Sequence, residues 1–274
     1  MSELWGIFGR PYLDLSPYVA TSVFPDLDRE ILRGLAEVET EGTGGSLKWM
    51  GVVAPFHLED GYADLGFVME GMSFPEWKEL VDLADDPAVF DPARWREYTF
   101  GDETDHPLNL RQQRWLTYRH GVYFPWKVCY HLLENDKWED KHSGEGKSFR
   151  EEAERVFPKT LAFIRTLPFE EIGRCVIFGL NANDHAPFHR DTKPGSAEQV
   201  GHCLTFAPRP GKKLVLMSPD FQTRVPVEAP VYWFNDMDWH GVEAAPVFRY
   251  SIRIDGRFDP AFVRRLAADA RRKV

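Results

Sequence analysis

Cysteine is scarce in this chain: Cys129, Cys175 and Cys203 are the only three in 274 residues. Their scatter lacks the spacing of a disulfide framework, and the odd count points to a reducing compartment. Cys175 sits in the apolar run Cys175-Val176-Ile177-Phe178, which predicts a reduced, buried thiol. A basic excess is also missing. The formal net charge is −10, which weighs against a general nucleic-acid binder, whose footprint is normally basic. No apolar stretch is long enough to span a bilayer, and Met1-Ser2-Glu3-Leu4-Trp5 lacks the basic-then-apolar opening of a secretory leader. The expectation is a soluble, cytoplasmic protein with no membrane partner. Internal repeats and low-complexity tracts are absent too.

What the chain does have is apolar and aromatic mass. Hydrophobic residues make up 43% and aromatics 14%, with nine Trp and twenty Phe. That composition suits a packed globular protein with a bulky core or an aromatic-lined pocket. The length allows one large domain, or a core with a substantial extension.

The first half mixes short elements with turns. Asp26 or Asp28 is placed to cap a helix through Ile31, Leu32, Leu35 and Val38. Ser73-Phe74-Pro75-Glu76 reads as a capping box, and Asp91-Pro92 as another cap, before Trp95 and Tyr98. Residues 49–56 and 62–69 are predicted strands, and residues 115–133 an aromatic platform or strands. Segment 134–147 is polar and charged, and serves as the internal boundary. Ser148-Phe149-Arg150-Glu151 is a second capping box, leading a helix that Pro158 kinks or splits.

From residue 173 the pattern changes. Short runs rich in β-formers alternate with Gly, Pro, Asn and Asp turns: 175–180, 185–191, 202–206, 214–217, 231–234, 239–243 and 248–254. This spacing predicts an antiparallel sandwich or barrel. Asp259-Pro260 then caps a C-terminal helix with a basic end. The predicted division is an N-terminal α+β extension over 1–147, packed on a mainly β core with flanking helices over 148–274.

One constellation carries chemistry. On a strand, residues i and i+2 share a face, so His189 and Asp191 of His189-Arg190-Asp191 present an imidazole and a carboxylate to one point. His240 supplies a second imidazole from another strand. Two His and one carboxylate on one face of a metal, with other positions open, is the ligand set of non-haem Fe(II) oxygenases. Arg249 and Ser251, again at i and i+2, suit a carboxylate co-substrate beside the metal. Over 248–254, Arg249, Ser251 and Arg253 face one way, against Phe248, Tyr250, Ile252 and Ile254. Polar side chains facing a barrel interior are costly unless they bind something. A lone H-x-D is a weak signal, since a strand His is more often a surface or core residue. Asp184-His185 and Asp238 compete as ligands. His202, Asn181 and Arg253 are candidates for the substrate pocket, with Thr205 beside them; Arg253 is alternatively placed to pair with an acid. Lys212-Lys213, after Pro210-Gly211, reads as a solvated turn. His57, His106, His120, His131 and His142 lack ligand spacing and read as structural or surface residues.

These residues resemble the Fe(II)- and 2-oxoglutarate-dependent dioxygenases. The signature of that superfamily is H-x-D, a distal His, and a late-strand Arg often followed by x-Ser. Here it falls on His189, Asp191, His240, Arg249 and Ser251. Phe188-His189-Arg190-Asp191, Trp239-His240-Gly241-Val242 and the closing 249–258 segment look most like the proline and aspartyl/asparaginyl hydroxylase branches. The resemblance covers residues 150–258. It implies a double-stranded β-helix (a cupin-like jelly roll) with Fe(II) held by His189, Asp191 and His240. It also implies 2-oxoglutarate held through its distal carboxylate by Arg249 and Ser251, and O2 as co-substrate. The implied reaction is hydroxylation or desaturation of an unactivated C–H bond in a small molecule, amino acid or peptide; halogenases of the superfamily lack the metal carboxylate that Asp191 provides. Two alternatives stand beside it: a cupin-type metalloenzyme that does not use 2-oxoglutarate, and a non-catalytic jelly-roll ligand-binding protein.

Overall fold

Apolar side chains at every second position build two facing antiparallel sheets. The computed structural model describes residues 4–40, 52–53, 65–88, 108–122, 128–134, 141–191 and 200–272. Its strands are β1 (Tyr12–Asp14), β2 (Val52–Val53), β3 (Val128–His131), β4 (Phe169–Leu180), β5 (Ala186–Arg190), β6 (His202–Phe206), β7 (Leu214–Met217), β8 (Arg224–Pro226), β9 (Val231–Phe234), β10 (Trp239–Val242) and β11 (Arg249–Phe258). Among the described residues one sheet runs β1-β9-β6-β11-β4-β3 and the other β2-β5-β10-β7-β8. From β4 to β11 the chain passes back and forth between the sheets and pairs antiparallel throughout. Eight strands wound this way form a double-stranded β-helix. Strands β1, β2 and β3, from before residue 148, extend the two sheets at their edges.

The helices are α1 (Phe24–Glu37), α2 (Leu65–Gly71), α3 (Phe74–Asp82), α4 (Leu110–His120), α5 (Glu151–Val156), α6 (Pro158–Ile164) and α7 (Pro260–Arg272). Helices α1, α5 and α6 cover the outer face of the larger sheet. Phe24 stacks on Phe206 there while Phe163 meets both rings edge-on, and Ile31, Phe157, Leu161, Ile252 and Ile254 are fully buried. Each such side chain contributes about 1.5–3 kcal/mol of transfer free energy. Pro158 splits α5 from α6, as its missing N–H requires. Ser73 and Glu76 close the capping box of α3. Asp259 caps α7, accepting from the Ala261 N–H at 2.6 Å.

Several local expectations are corrected. Residues 65–71 are helical, not extended. Residues 115–120, the start of the predicted aromatic platform, belong to helix α4, which is capped by Asn109 and ended by left-handed Gly121. The cap of α1 is Val23, and Asp26 lies in the first turn instead, beside Pro25. The second capping box does not form: the Ser148 hydroxyl donates to Glu134, and Arg150 takes the cap position of α5. The 91–98 helix, most of the 49–56 strand, His57 and His106 lie outside the described residues. No helix among the described residues is long and apolar enough to cross a membrane.

Candidate metal centre

Strand β11 sets the interior of the barrel. Its Ile252 and Ile254 face the helices, so Arg249, Ser251, Arg253 and Asp255 face the opposite sheet. That sheet presents His189 near the end of β5 and His240 on its neighbour β10, paired directly in register. Asp191 follows β5, and its N–H donates to Asp236 O in the β9–β10 turn at 3.1 Å. The sequence pattern therefore brings the three side chains together. His189 Nε2 lies 3.3 Å and His240 Nε2 3.6 Å from Asp191 Oδ1, with ring centroids 4.3 Å apart. All three side chains are buried. Among the described residues, one group of His, Cys, Asp and Glu side chains could hold a metal, and this is it.

The donor chemistry fits a divalent transition metal. His189 Nδ1 lies 2.7 Å from Pro187 O, and His240 Nδ1 lies 2.9 Å from Asp238 O. A carbonyl only accepts, so each Nδ1 carries the hydrogen and each Nε2 keeps its lone pair for a ligand. Burial, then neighbouring His240, lowers the His189 pKa, so the ring stays neutral as a ligand must be. Burial alone would raise the Asp191 carboxyl. The Arg253 guanidinium outweighs it and holds Asp191 well below the usual carboxylate range.

The competing candidates lie outside this group. The Asp238 carboxylate accepts the N–H groups of Trp5 and Gly6, both at 2.8 Å, and so ties the N-terminal segment to the turn before His240. Asp184 O accepts from Arg249, and His185 is half-buried beside that arginine. Neither belongs to the metal group.

The remaining predicted residues fall in three places. Arg249 is buried, but its Nη atoms donate to the carbonyls of Ala245, Val247, Asp184 and Glu243, which staples two loops together. Ser251 Oγ accepts from Lys212 Nζ at 2.9 Å, and Lys212 also donates to Phe178 O. Arg253 Nη1 lies 2.6 Å from Asp191 Oδ2, on the metal group itself. His202 stacks on Phe258 and accepts its N–H, and Trp233 meets the ring edge-on. It packs with these aromatics, away from the metal group. Asn181 is exposed in the β4–β5 turn, whereas Thr205 is buried opposite Arg253.

Sequence reasoning missed five charged groups. Lys212 was expected in a solvated turn but is buried, and burial followed by Arg249 pushes its ammonium well below the usual range. Asp255, Arg174, Asp236 and Lys141 are buried around Arg253. Extending the β11 alternation by one step would have found Asp255; nothing in the polar stretch around Lys141 signals burial.

No protein-family profile matches the sequence, and no curated protein is recognisably similar to it. Solved structures are similar over part of its length. A 2OG-Fe(II) oxygenase family oxidoreductase from Burkholderia pseudomallei is 15% identical, over 46% of this chain and 66% of that one, with a TM-score of 0.30. A prolyl-4-hydroxylase from Pseudomonas putida is 17% identical, over 40% of this chain and 68% of that one, with a TM-score of 0.26. A Cupin 2 conserved barrel domain protein from Salinispora arenicola is 14% identical, over 38% and 73%, with a TM-score of 0.22. The chain is thus similar to 2OG-Fe(II) oxygenase family proteins and prolyl hydroxylases, at low identity and over less than half its length.

Proposed function

We propose that this chain is a non-haem iron oxygenase that consumes 2-oxoglutarate and O2. It hydroxylates or desaturates an unactivated C–H bond of a small molecule, amino acid or peptide. The observation that carries the reading is the meeting of His189 Nε2, His240 Nε2 and Asp191 Oδ1 inside one end of a β-barrel. Two imidazoles and a carboxylate on one side are the donor set of such iron sites. Bound iron would supply O2 activation coupled to oxidation of 2-oxoglutarate to succinate and CO2.

The chain's own contribution is geometric and electrostatic. The carbonyls of Pro187 and Asp238 set the tautomers and tilt of the two rings. Lys212 Nζ and Ser251 Oγ, with Arg249 behind them, are the groups suited to the distal carboxylate of 2-oxoglutarate. An anion there would offset two cations held out of water.

The test is O2-dependent succinate release by the iron-loaded protein, with H189A and D191A beside it. Both variants are expected to lose it. Unchanged turnover in both overturns the reading.

One observation favours a second reading, a cupin-type metalloenzyme without 2-oxoglutarate: the Arg249 Nη atoms are already given to backbone carbonyls. Titrating 2-oxoglutarate into metal-loaded protein separates the two, since no saturable binding is expected on the second.

A further inference from the structure

We propose that Arg253 is a positioning residue that restricts Asp191 to one-oxygen ligation and so keeps a metal position open for the co-substrate. The inference rests on the metal-site reading above. Asp191 presents its two oxygens differently. Oδ1 is the one near both imidazole Nε2 atoms, while Oδ2 lies 2.6 Å from Arg253 Nη1. With Oδ2 engaged by a guanidinium, only Oδ1 is left to face a metal.

Arg253 cannot easily turn away. Its Nε and Nη2 both reach Asp255 Oδ1 at 3.0 Å, and Nη2 also lies 3.6 Å from Asp236 Oδ2. Each of those carboxylates is gripped from behind. Arg174 holds Asp255 at 2.7 and 2.8 Å, and Lys141 holds Asp236 at 2.8 Å. Three cations and three carboxylates form one buried, charge-balanced chain that ends on the metal group. The planar fork of arginine spans two carboxylates at a fixed angle; an ammonium is a point charge and does not. Arg253 therefore acts through Asp191, and touches neither substrate nor co-substrate in this role. Partners of metal ligands typically change affinity or activity about 10–100-fold when removed.

The test reads coordination, not turnover. Wild type, R253M and R253K are titrated anaerobically with Co(II), and the d–d absorption is recorded before and after 2-oxoglutarate is added. Far-UV circular dichroism checks that each variant is folded. Wild type is expected to take one Co(II) per chain. R253M frees Oδ2, so its d–d bands should change in position and intensity, and its affinity for 2-oxoglutarate at the cobalt-loaded site should fall about tenfold or more. R253K, which keeps the charge without the fork, should fall between. Bands and co-substrate affinity identical to wild type in R253M overturn the inference. Should R253M fail to fold, R253K decides: altered bands support the proposal, and wild-type bands overturn it. A wild type that takes up no Co(II) overturns the metal-site reading itself, and this inference with it.

Discussion

Lys212 shows how far a side chain's role depends on what surrounds it. Pro210-Gly211 ahead of it marks a turn, and two adjacent lysines in a turn read as solvated. The barrel closes over the first of them, whose Nζ meets Ser251 Oγ and Phe178 O. If it anchors the co-substrate carboxylate, K212M should raise the KM for 2-oxoglutarate about tenfold or more, the equivalent of roughly 1.5–3 kcal/mol for a charged hydrogen bond. The value of kcat should move much less, because the contact is equal in ground and transition states. Succinate release measured against 2-oxoglutarate concentration decides this, and an unchanged KM removes Lys212 from the anchor. Methionine fills a similar volume without a buried charge, so the fold should hold. By contrast, the pairing of His189 with Asp191 was legible directly, because strand alternation puts i and i+2 on one face. Arg249 and Arg253 were legible only as a shared face. Their spacing left Arg253 open between substrate and an acidic partner, and could not say that Arg249 would bond loop carbonyls or that the acid would be Asp191.

At the scale of elements, the close packing of α1 on the α5–α6 junction offers the sharpest test. A Cβ added at Gly34 would come within 2.2 Å of Phe157 Cε1 and 2.8 Å of Val156 Cγ1, and the Phe157 ring is fully buried. Alanine would gain about 1 kcal/mol of helix propensity. The overpacking of a fixed aromatic costs about 1–3 kcal/mol. G34A should therefore lower the urea midpoint with an unchanged m-value, and a midpoint at or above wild type would show that Phe157 can move aside. Strands β6, β7 and β9 match the sequence reading to the residue, since turn signals bound them on both sides. Helix α2 was misread as a strand because seven residues rich in Phe, Val and Met carry no decisive period. The 148–151 capping box failed because Ser148 found a closer partner in Glu134, across the turn from β3. Strand β11 bulges after Asp255, where Gly256 lets Glu171 O approach a position a Cβ would occupy at 2.1 Å.

Across the whole molecule, burial is the first cause that lowers the pKa of His120, His142, His185, His189 and His202. A folded pKa below the unfolded value near 6.5 means that the unfolded chain takes up protons first. Stability of the metal-free protein should therefore fall as pH drops through about 6.5 toward the lower folded values. Asp238, whose carboxyl burial pushes up, works in the opposite direction, one group against five. Asp191 and Asp255 are held low, so their contribution is lost only in more acid solution. The urea midpoint should be lower at pH 5.5 than at pH 7.5, and an equal or higher midpoint at pH 5.5 would show that these rings are not held neutral by the fold.

By itself the sequence determined seven of the eight barrel strands, missing only the short β8, together with the face each side chain takes along them and the residue types able to hold a metal. These follow from local periodicity and turn chemistry, which act over a few residues of chain. Only the tertiary structure decided that Arg253 meets Asp191, that Arg249 staples loops, and that Lys212 lies out of water. Contacts across two facing sheets depend on how the strands wind and register. Spacing along one strand fixes a side chain's direction but leaves its partner to be chosen by the packing of the whole barrel.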